Sequence, residues 1–418
     1  MLPRPSFLMP LLAAWVFQAA TVICGFSPSA QNNLAVYWGQ NSINRPTGQD
    51  GAQQRLSTYC SESNVNVIPL AFLNIIYNPT TVNFANAGDR CTPFPGTTLL
   101  ECPEIQQDIQ ACQALGKTIL LSIGGATYTE GGFRSEAEAV AAADKVWATF
   151  GPTQAGDSTA LRPFGAAVVD GFDLDFESPL SNLLPFASRL RALTTGGTAS
   201  QPARRFYLTA APQCFLPDAA LDVVLSSDVL FDFVMVQFYN NWCGVHNFRP
   251  GVDDQPIFNL AQWDAWSTSH TGGRTKILVG VPGRAGAAGS GYVDVPALAA
   301  IITYARRFAS LAGVMVWDAS QAWANPGWLD GVAVALGGGG GGQQPPVTAT
   351  TTTATPTTLV TSTTTRTTSS STVTPTQTGG PPGVPQWGQC GGRDYTGPTV
   401  CQAPYKCVFL SEWWASCQ

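Results

Sequence analysis

Charge is what this 418-residue chain has least of: Asp, Glu, Lys and Arg make up 11% of it, against roughly 25% in ordinary globular proteins. Any local cluster of carboxylates therefore stands out. There is no run of Lys and Arg, and the net charge is −6 with a pI near 4.9. That excludes the electrostatic footprint of a nucleic-acid or anionic-membrane binder and makes a neutral partner the better fit. Two histidines, His246 and His270, are too few for a His-rich metal site or an imidazole relay, and each reads as a surface or loop residue. Paired C-x-x-C hooks are missing, which disfavours structural zinc. G-x-G-x-x-G and G-x-x-x-x-G-K-[ST] are absent from strand-to-helix turns, so Gly124-Gly125 reads as a tight turn rather than a phosphate cradle. Neither a metal nor a cofactor is expected.

Past the first 25 residues, no stretch is long and apolar enough to span a bilayer. The opening segment reads as a secretory signal: Arg4 gives a positive start, and Phe7 to Ile23 is an apolar stretch broken by Pro10 and Gln18. A membrane anchor is the alternative, but a basic stop-transfer flank is missing. Cleavage can fall after Cys24, Gly25 or Ala30, so the signal is assigned to 1–25, extending at most to 30. Removing Cys24 leaves ten of the eleven cysteines, an even number that suits an oxidising, extracellular or cell-wall setting.

From Gly337 come six consecutive glycines, then a Thr/Ser/Pro tract to about Pro385. Such a composition cannot bury enough apolar surface to offset its ordering entropy, and reads as a disordered, O-glycosylated spacer over 337–385. It separates a large domain, 31–336, from a small one, 386–418.

In the large domain, short runs rich in β-branched and aromatic residues alternate with helix-like segments. The strand candidates are Leu34–Trp38, Asn66–Leu73, Thr118–Ile123, Ala167–Phe176, Phe206–Ala211, Phe233–Tyr239, Lys276–Val281 and Gly313–Trp317. Helices are expected between them, for instance Cys102–Leu115, Ser135–Phe150 (Ser135 and Glu138 spaced as a capping box), Ser181–Leu193 and Val295–Phe308. Eight strand-helix units in about 300 residues fit an α/β fold, the (β/α)8 TIM barrel. A doubly wound open sheet is the alternative.

The fourth candidate strand holds the acids. In Asp170-Gly171-Phe172-Asp173-Leu174-Asp175-Phe176-Glu177, residues 173, 175 and 177 share one parity and Phe172, Leu174 and Phe176 the other. On a strand, three acids then share a face. In a barrel the apolar set packs against the helices, and the acids climb the interior towards the C-terminal rim, where active sites of this fold lie. Stacked, desolvated carboxylates hold protons at neutral pH and titrate as a coupled set. A protonated Glu177 beside a stabilising group suits glycosidic bond cleavage. An exposed acidic strand or a calcium site would be the bland readings; the apolar alternation opposes the first, and the spacing is not that of an EF-hand loop.

This run resembles the D-x-x-D-x-D-x-E signature of family 18 glycoside hydrolases, the chitinases, with all four acids in place. Tyr37-Trp38-Gly39-Gln40-Asn41, Ala71-Phe72-Leu73-Asn74, Leu121-Ser122-Ile123-Gly124-Gly125, Ala210-Ala211-Pro212-Gln213-Cys214, Val236-Gln237-Phe238-Tyr239-Asn240-Asn241 and Gly313-Val314-Met315-Val316-Trp317 extend the resemblance to the class III, plant and fungal branch. The resemblance implies a retaining, substrate-assisted mechanism. In it Glu177 is the acid, Asp175 the stabiliser of the acetamido group, Asp173 its proton partner, Asp170 a structural acid, and Tyr239 a donor to the acetamido carbonyl. It further implies that Gln237, Asn240 and Tyr37 line the substrate site, with Trp317 as the floor, and that Cys60 pairs with Cys112, Cys91 with Cys102 and Cys214 with Cys243. Chitin and chitooligosaccharides are the implied partners of a chain expected to be monomeric. An endo-β-N-acetylglucosaminidase acting on N-glycans and a non-catalytic chitin-binding lectin are the competing readings; lectin relatives usually lose the terminal Glu, which is present here.

The last 33 residues carry four cysteines, too few residues for an unaided core, so disulfides must hold a small β module. Trp387, Tyr395, Tyr405, Trp413 and Trp414 are more rings than that core can hold, and exposed aromatic rows suit pyranose faces. Trp387-Gly388-Gln389-Cys390-Gly391-Gly392, Tyr395-Thr396-Gly397-Pro398-Thr399 and Pro404-Tyr405 with Cys407 and Cys417 resemble family 1 carbohydrate-binding modules. That implies a flat face of Trp387, Trp413 and Trp414, pairings Cys390–Cys407 and Cys401–Cys417, and binding of cellulose as well as chitin. Ser411 and Ser416 stand where the family usually has an amide pair.

Overall fold

The computed structural model describes residues 25–61, 64–77, 79–153, 160–196 and 204–338, and in the C-terminal part 383–384, 389–391, 397–411 and 414–417. The expected signal before residue 25 and most of the expected spacer lie outside the described residues. The chain divides into two compact units, Met1–Gly339 and Gly340–Gln418.

In the first unit eight parallel strands alternate with helices: β1 Asn33–Val36, β2 Val67–Ile75, β3 Thr118–Gly124, β4 Gly171–Asp175, β5 Tyr207–Ala210, β6 Phe233–Gln237, β7 Lys276–Pro282 and β8 Leu311–Trp317. The helices that follow them are α1 Leu56–Cys60, α2 Pro103–Ala114, α3 Glu136–Phe150, α4 Leu183–Gly196, α5 Asp222–Leu225, α6 Leu260–Thr271, α7 Val295–Ala305, and the pair α8 Ala319–Trp323 and α9 Trp328–Ala335. Closure is what separates a barrel from an open sheet. Here β1 pairs with β8 from Asn33↔Gly313 to Val36↔Val316 and also with β2 at Ala35↔Val67, so the eight parallel strands close on themselves and the doubly wound alternative fails.

The β1–β2 seam is carried by backbone bonds, Asn66 N to Leu34 O at 3.0 Å, Trp38 N to Pro69 O at 3.0 Å and Ala71 N to Trp38 O at 2.8 Å, and side chains add to it. Asn66 Oδ1 accepts from Leu34 N at 2.7 Å, and its Nδ2 donates to Asn33 Oδ1 at 2.9 Å. Asn33 Nδ2 in turn reaches Ala312 O on β8 at 2.8 Å, so two buried amides stitch three strands together.

Two apolar layers follow from strand parity. The outward set, including Phe172, Leu174 and Phe176, packs with helix residues such as Trp147, Phe186 and Leu190. The inward set, including Ala35, Tyr37, Leu120, Phe233, Met235, Leu278 and Met315, fills the interior. Phe26, before β1, closes the lower end: its ring stacks on Phe233 at 3.9 Å and meets Tyr207 edge-on at 5.8 Å. Its N–H donates to Thr118 Oγ1 at 2.9 Å, and Gly25 O accepts from Asn66 Nδ2 at 3.1 Å.

Some boundaries differ from the sequence expectation. The fourth strand starts at Gly171, not Ala167, because the side chain of Asp170 takes over the pairing there, accepting from Ile119 N at 2.9 Å. It ends at Asp175, so Glu177 lies on the loop beyond. Helix α4 starts at Leu183 rather than Ser181, whose backbone bonds Gly131 and Phe133 instead. At α3, Ser135 accepts from Glu138 N as expected, but Glu138 reaches one residue further back, to Arg134 N at 2.7 Å.

Disulfides in this unit are Cys60–Cys112, Cys91–Cys102 and Cys214–Cys243. The second unit contains three antiparallel strands, β9 Gln389–Gly391, β10 Cys407–Ser411 and β11 Trp414–Cys417, with β11 central, and the disulfides Cys390–Cys407 and Cys401–Cys417. Its core is small: Val384, Cys390, Ala415 and Cys417, with Cys401 and Tyr405 packed on them. Trp387 and Trp413 lie outside the described residues, as does the side chain of Trp414.

Replacing the plug residue, Phe26→Ala, should remove about 3 kcal/mol or more of stability by opening a cavity under the barrel. Urea denaturation of the purified variant checks this; an unchanged midpoint would contradict the plug.

Candidate active site

The acids of β4 rise through the barrel in three steps, each in a different environment. Asp173 is fully buried. It is level in register with Ser122 on β3 and Thr209 on β5. Tyr37 Oη and Ser122 Oγ donate to its Oδ2, each at 2.7 Å, and Thr209 Oγ1 donates to Oδ1 at 2.7 Å. Burial raises its pKa above the ordinary 3.8, and the three hydroxyls oppose the rise by solvating the anion.

One step higher, Asp175 is buried and accepts from Gln237 Nε2 at 2.9 Å. The same amide also donates to Ala211 O at 2.9 Å, which fixes its orientation. Burial first, then the charges of Glu177, Asp173 and Asp218, hold the Asp175 carboxyl well above its usual range. With Asp173 solvated by three donors and Asp175 by one, the proton of this pair belongs on Asp175.

Glu177 is partly exposed at the rim. Burial lifts its pKa from 4.5 to about 7, the Gln237 amide opposes the rise, and Asp218 adds to it. A carboxylic acid that keeps its proton near neutrality at an open rim can donate it to a leaving oxygen.

The wall opposite is aromatic and amide-lined. Tyr239 is buried, and burial together with the charges of Asp175, Glu177 and Asp173 holds its hydroxyl well above 10, so it remains a proton donor. Trp317, half-buried at the end of β8, lies nearly parallel to Phe72, with centroids 6.0 Å apart and planes 22° apart, and is tilted on Tyr37 at 5.6 Å. This is a flat apolar floor with edges fixed by its neighbours. Gly124 and Gly125, both at positive φ, let β3 approach: a Cβ on Gly124 would sit 2.6 Å from Asp175 O, and one on Gly125 2.7 Å from the Phe72 ring.

Asp173, Asp175, Glu177, Tyr37, Gln237, Tyr239 and Trp317 thus converge on one end of the barrel. Asn240 is exposed beside them, with Oδ1 accepting from Gly289 N at 2.7 Å and Ser290 N at 3.3 Å, which holds the 289–290 loop. Asp170 is apart from the group: it is bound to Arg204 Nη2 at 2.7 Å and Gln113 Nε2 at 2.9 Å below the strand.

Four neighbours escaped sequence reading as site residues. Ser122 and Thr209 are lone polar residues inside apolar strands, a signal that could have found them. Phe72 stands in one of the family-like motifs but without a role of its own. Asp218 lies on a loop 41 residues beyond Glu177, and only the fold brings it towards β4.

Residues 33–292 match the family described as Glycosyl hydrolases family 18. The chain belongs to that family. It is therefore a glycoside hydrolase, and its residues 386–414 match the family described as Fungal cellulose binding domain. Endochitinase 33 from Trichoderma harzianum is 48% identical over 332 residues, covering 78% of this chain and all of that one. A class III chitinase from Arthroderma benhamiae is 47% identical over 320 residues, covering 76% and 89%. Among crystal structures, the xylanase and alpha-amylase inhibitor protein XAIP-II from Scadoxus multiflorus superposes with a TM-score of 0.56 at 28% identity, covering 74% of this chain and 98% of that one. ICChI chitinase from Ipomoea carnea shares the fold at 24% identity and a TM-score of 0.56, covering 72% and 99%.

Family 18 barrels with buried, proton-holding acids should show a distinctive stability profile. Glu177 binds its proton up to about pH 7 when folded but only to about 4.5 when unfolded. Between those values the native state holds more protons, so stability falls as pH rises. Urea melts should show this decline from pH 4.5 to 7, and Glu177→Gln should flatten it; an equal slope in the variant would contradict the assignment.

Proposed function

We propose that this family 18 hydrolase is an endo-acting chitinase that cleaves β-1,4 bonds between N-acetylglucosamine units with retention. The observation that carries the proposal is the ladder Asp173, Asp175, Glu177, ending in a rim glutamate with a pKa near 7 over the Trp317 floor. The names of the Trichoderma and Arthroderma relatives support the substrate.

In this reading Glu177 protonates the glycosidic oxygen, and the C–O bond to the anomeric carbon breaks. The sugar's own acetamido carbonyl oxygen bonds that carbon, giving an oxazolinium ion, so no enzyme nucleophile is needed, in contrast to the two-carboxylate scheme. Asp175 accepts from the acetamido N–H and offsets the positive charge, its proton passing to Asp173. Tyr239 donates to the acetamido carbonyl, Gln237 and Asn240 line the subsite, and Tyr37 keeps Asp173 in place. Water, giving its proton to Glu177, then attacks the anomeric carbon and breaks its bond to the acetamido oxygen, which regenerates the acetamido group and restores the starting configuration. The lectin reading is disfavoured by Glu177, and the N-glycan reading by a module that suits a wall polymer. Fold alone does not separate them, since XAIP-II, on the same barrel, is named an inhibitor of other enzymes.

We further propose that the protein is exported and acts as a monomer on chitin outside the cell or in the wall. Five disulfides support an oxidising compartment. Among the described residues no helix is long and apolar enough to cross a membrane. Signal cleavage is best placed after Cys24 or Gly25, since removal to Ala30 would take away the Phe26 plug. The 386–418 module, through Trp387, Trp413 and Trp414, would anchor the barrel to crystalline chitin or cellulose, with 337–385 as the spacer.

Glu177→Gln should lower turnover of chitin hexamer by roughly a thousandfold while leaving chitin binding intact. Normal turnover in that variant would sink the assignment. Proton NMR of the first products should show the β anomer; an α anomer would exclude retention. Truncation at Gly337 should weaken adsorption to crystalline polymer and spare soluble oligomers, and equal adsorption of both forms would refute an anchoring module.

A further inference from the structure

We infer that Asp218, on the loop between β5 and α5, is a positioning residue that sets the proton affinity of the acid at the rim. The inference rests on the reading of Glu177 as proton donor. Asp218 is 2% exposed and has no cation bonded to it among the described contacts. Its carboxylate is held by backbone alone: Oδ1 accepts from Ala220 N at 2.9 Å and Leu221 N at 2.6 Å, and Oδ2 accepts from Gln213 N at 3.0 Å. Three N–H donors stabilise a charge without neutralising it.

Those bonds connect it to the site in two ways. Gln213 is bridged to Gln237, whose N–H donates to Pro212 O at 2.8 Å and whose amide holds Asp175. Gln213 Oε1 also accepts from Asn241 Nδ2 at 2.9 Å, and the Cys214–Cys243 disulfide joins the same two loops. Asp218 therefore fixes the segment that orients the Gln237 amide. Its charge acts on the acids as well, raising the pKa of both Asp175 and Glu177.

The titratable groups acting in this pocket are Asp222 on α5, Asp175 and Glu177 with Asp173 beneath them, and Tyr239 after β6, on which Asp318 after β8 also acts. None is a cation. An anion at 218 therefore makes a second anion at 177 harder to form, so the rim acid keeps its proton to higher pH. Burial lifts the pKa of Asp218 itself to about 6, with the three N–H donors opposing. Below that pH it is neutral and its influence on Glu177 disappears.

The test compares pH–rate profiles of wild type and Asp218→Asn on chitin hexamer. Asn keeps an acceptor for Ala220 and Leu221 and loses the charge. At pH 5 the two enzymes should agree within about twofold in kcat; above pH 6 they should diverge, the alkaline limb of the variant lying lower by roughly half to one pH unit, with KM little changed. A purely structural role would lower kcat by the same factor at every pH, and parallel profiles overturn the proposal. Should Asp218→Asn not fold, Asp218→Ser gives a second measurement: it also removes the charge, so its alkaline limb should lie below that of wild type, and a limb at the wild-type position overturns the proposal too. If Glu177→Gln stays active, the assignment of the acid fails; if it is inactive and the Asp218→Asn profile is parallel, only the inference about Asp218 fails.

Discussion

Burying three carboxylates on one strand is the constraint around which the barrel is arranged. An unpaired acid in an apolar interior is expensive, and two within reach of each other more so. Here each is kept by a different means. Asp173 is solvated by the hydroxyls of Tyr37, Ser122 and Thr209, which come from the strands on both sides and from across the interior. Asp175 has one amide and a proton. Glu177 has the solvent edge and a proton. The gradient from solvated anion at the bottom to protonated acid at the rim is what gives a row of identical functional groups different chemical tasks.

Much of this is legible in the sequence. A low charge density made the acids conspicuous, and the alternation of Phe172, Leu174 and Phe176 with Asp173, Asp175 and Glu177 told which side faced the interior. Closure was less legible, since a closed barrel and an open sheet share a strand-helix rhythm, and only the pairing of β1 with both β8 and β2 separates them. The fourth strand starts later than its sequence suggests: Val168 and Val169 look like strand, whereas the Asp170 carboxylate occupies a backbone partner there. The supporting cast was the hardest to see. Ser122 and Thr209 act through level register across three strands, and Asp218 through a loop 41 residues beyond Glu177; neither distance is written in local pattern.

Likeness of fold and likeness of task also separate cleanly here. Two proteins that superpose equally well on this chain are named as a chitinase and as an inhibitor of xylanase and amylase. Fold alone therefore assigns no task, and the chemistry has to be argued from the side chains at one end of the barrel.

The position of β1 between β2 and β8 has a bearing on how the molecule comes together. The main partner of β1 is β8, which is made last: Asn33 waits for Gly313, 280 positions further along the chain. Strands β2 to β8 can meanwhile pair in order with near neighbours. Joining β1 is thus the long-range step, the kind that is entropically slow. The Asn33 and Asn66 amides act there as a clasp, and because Phe26 lies only seven residues before Asn33, seating the floor and closing the wall become a single late event.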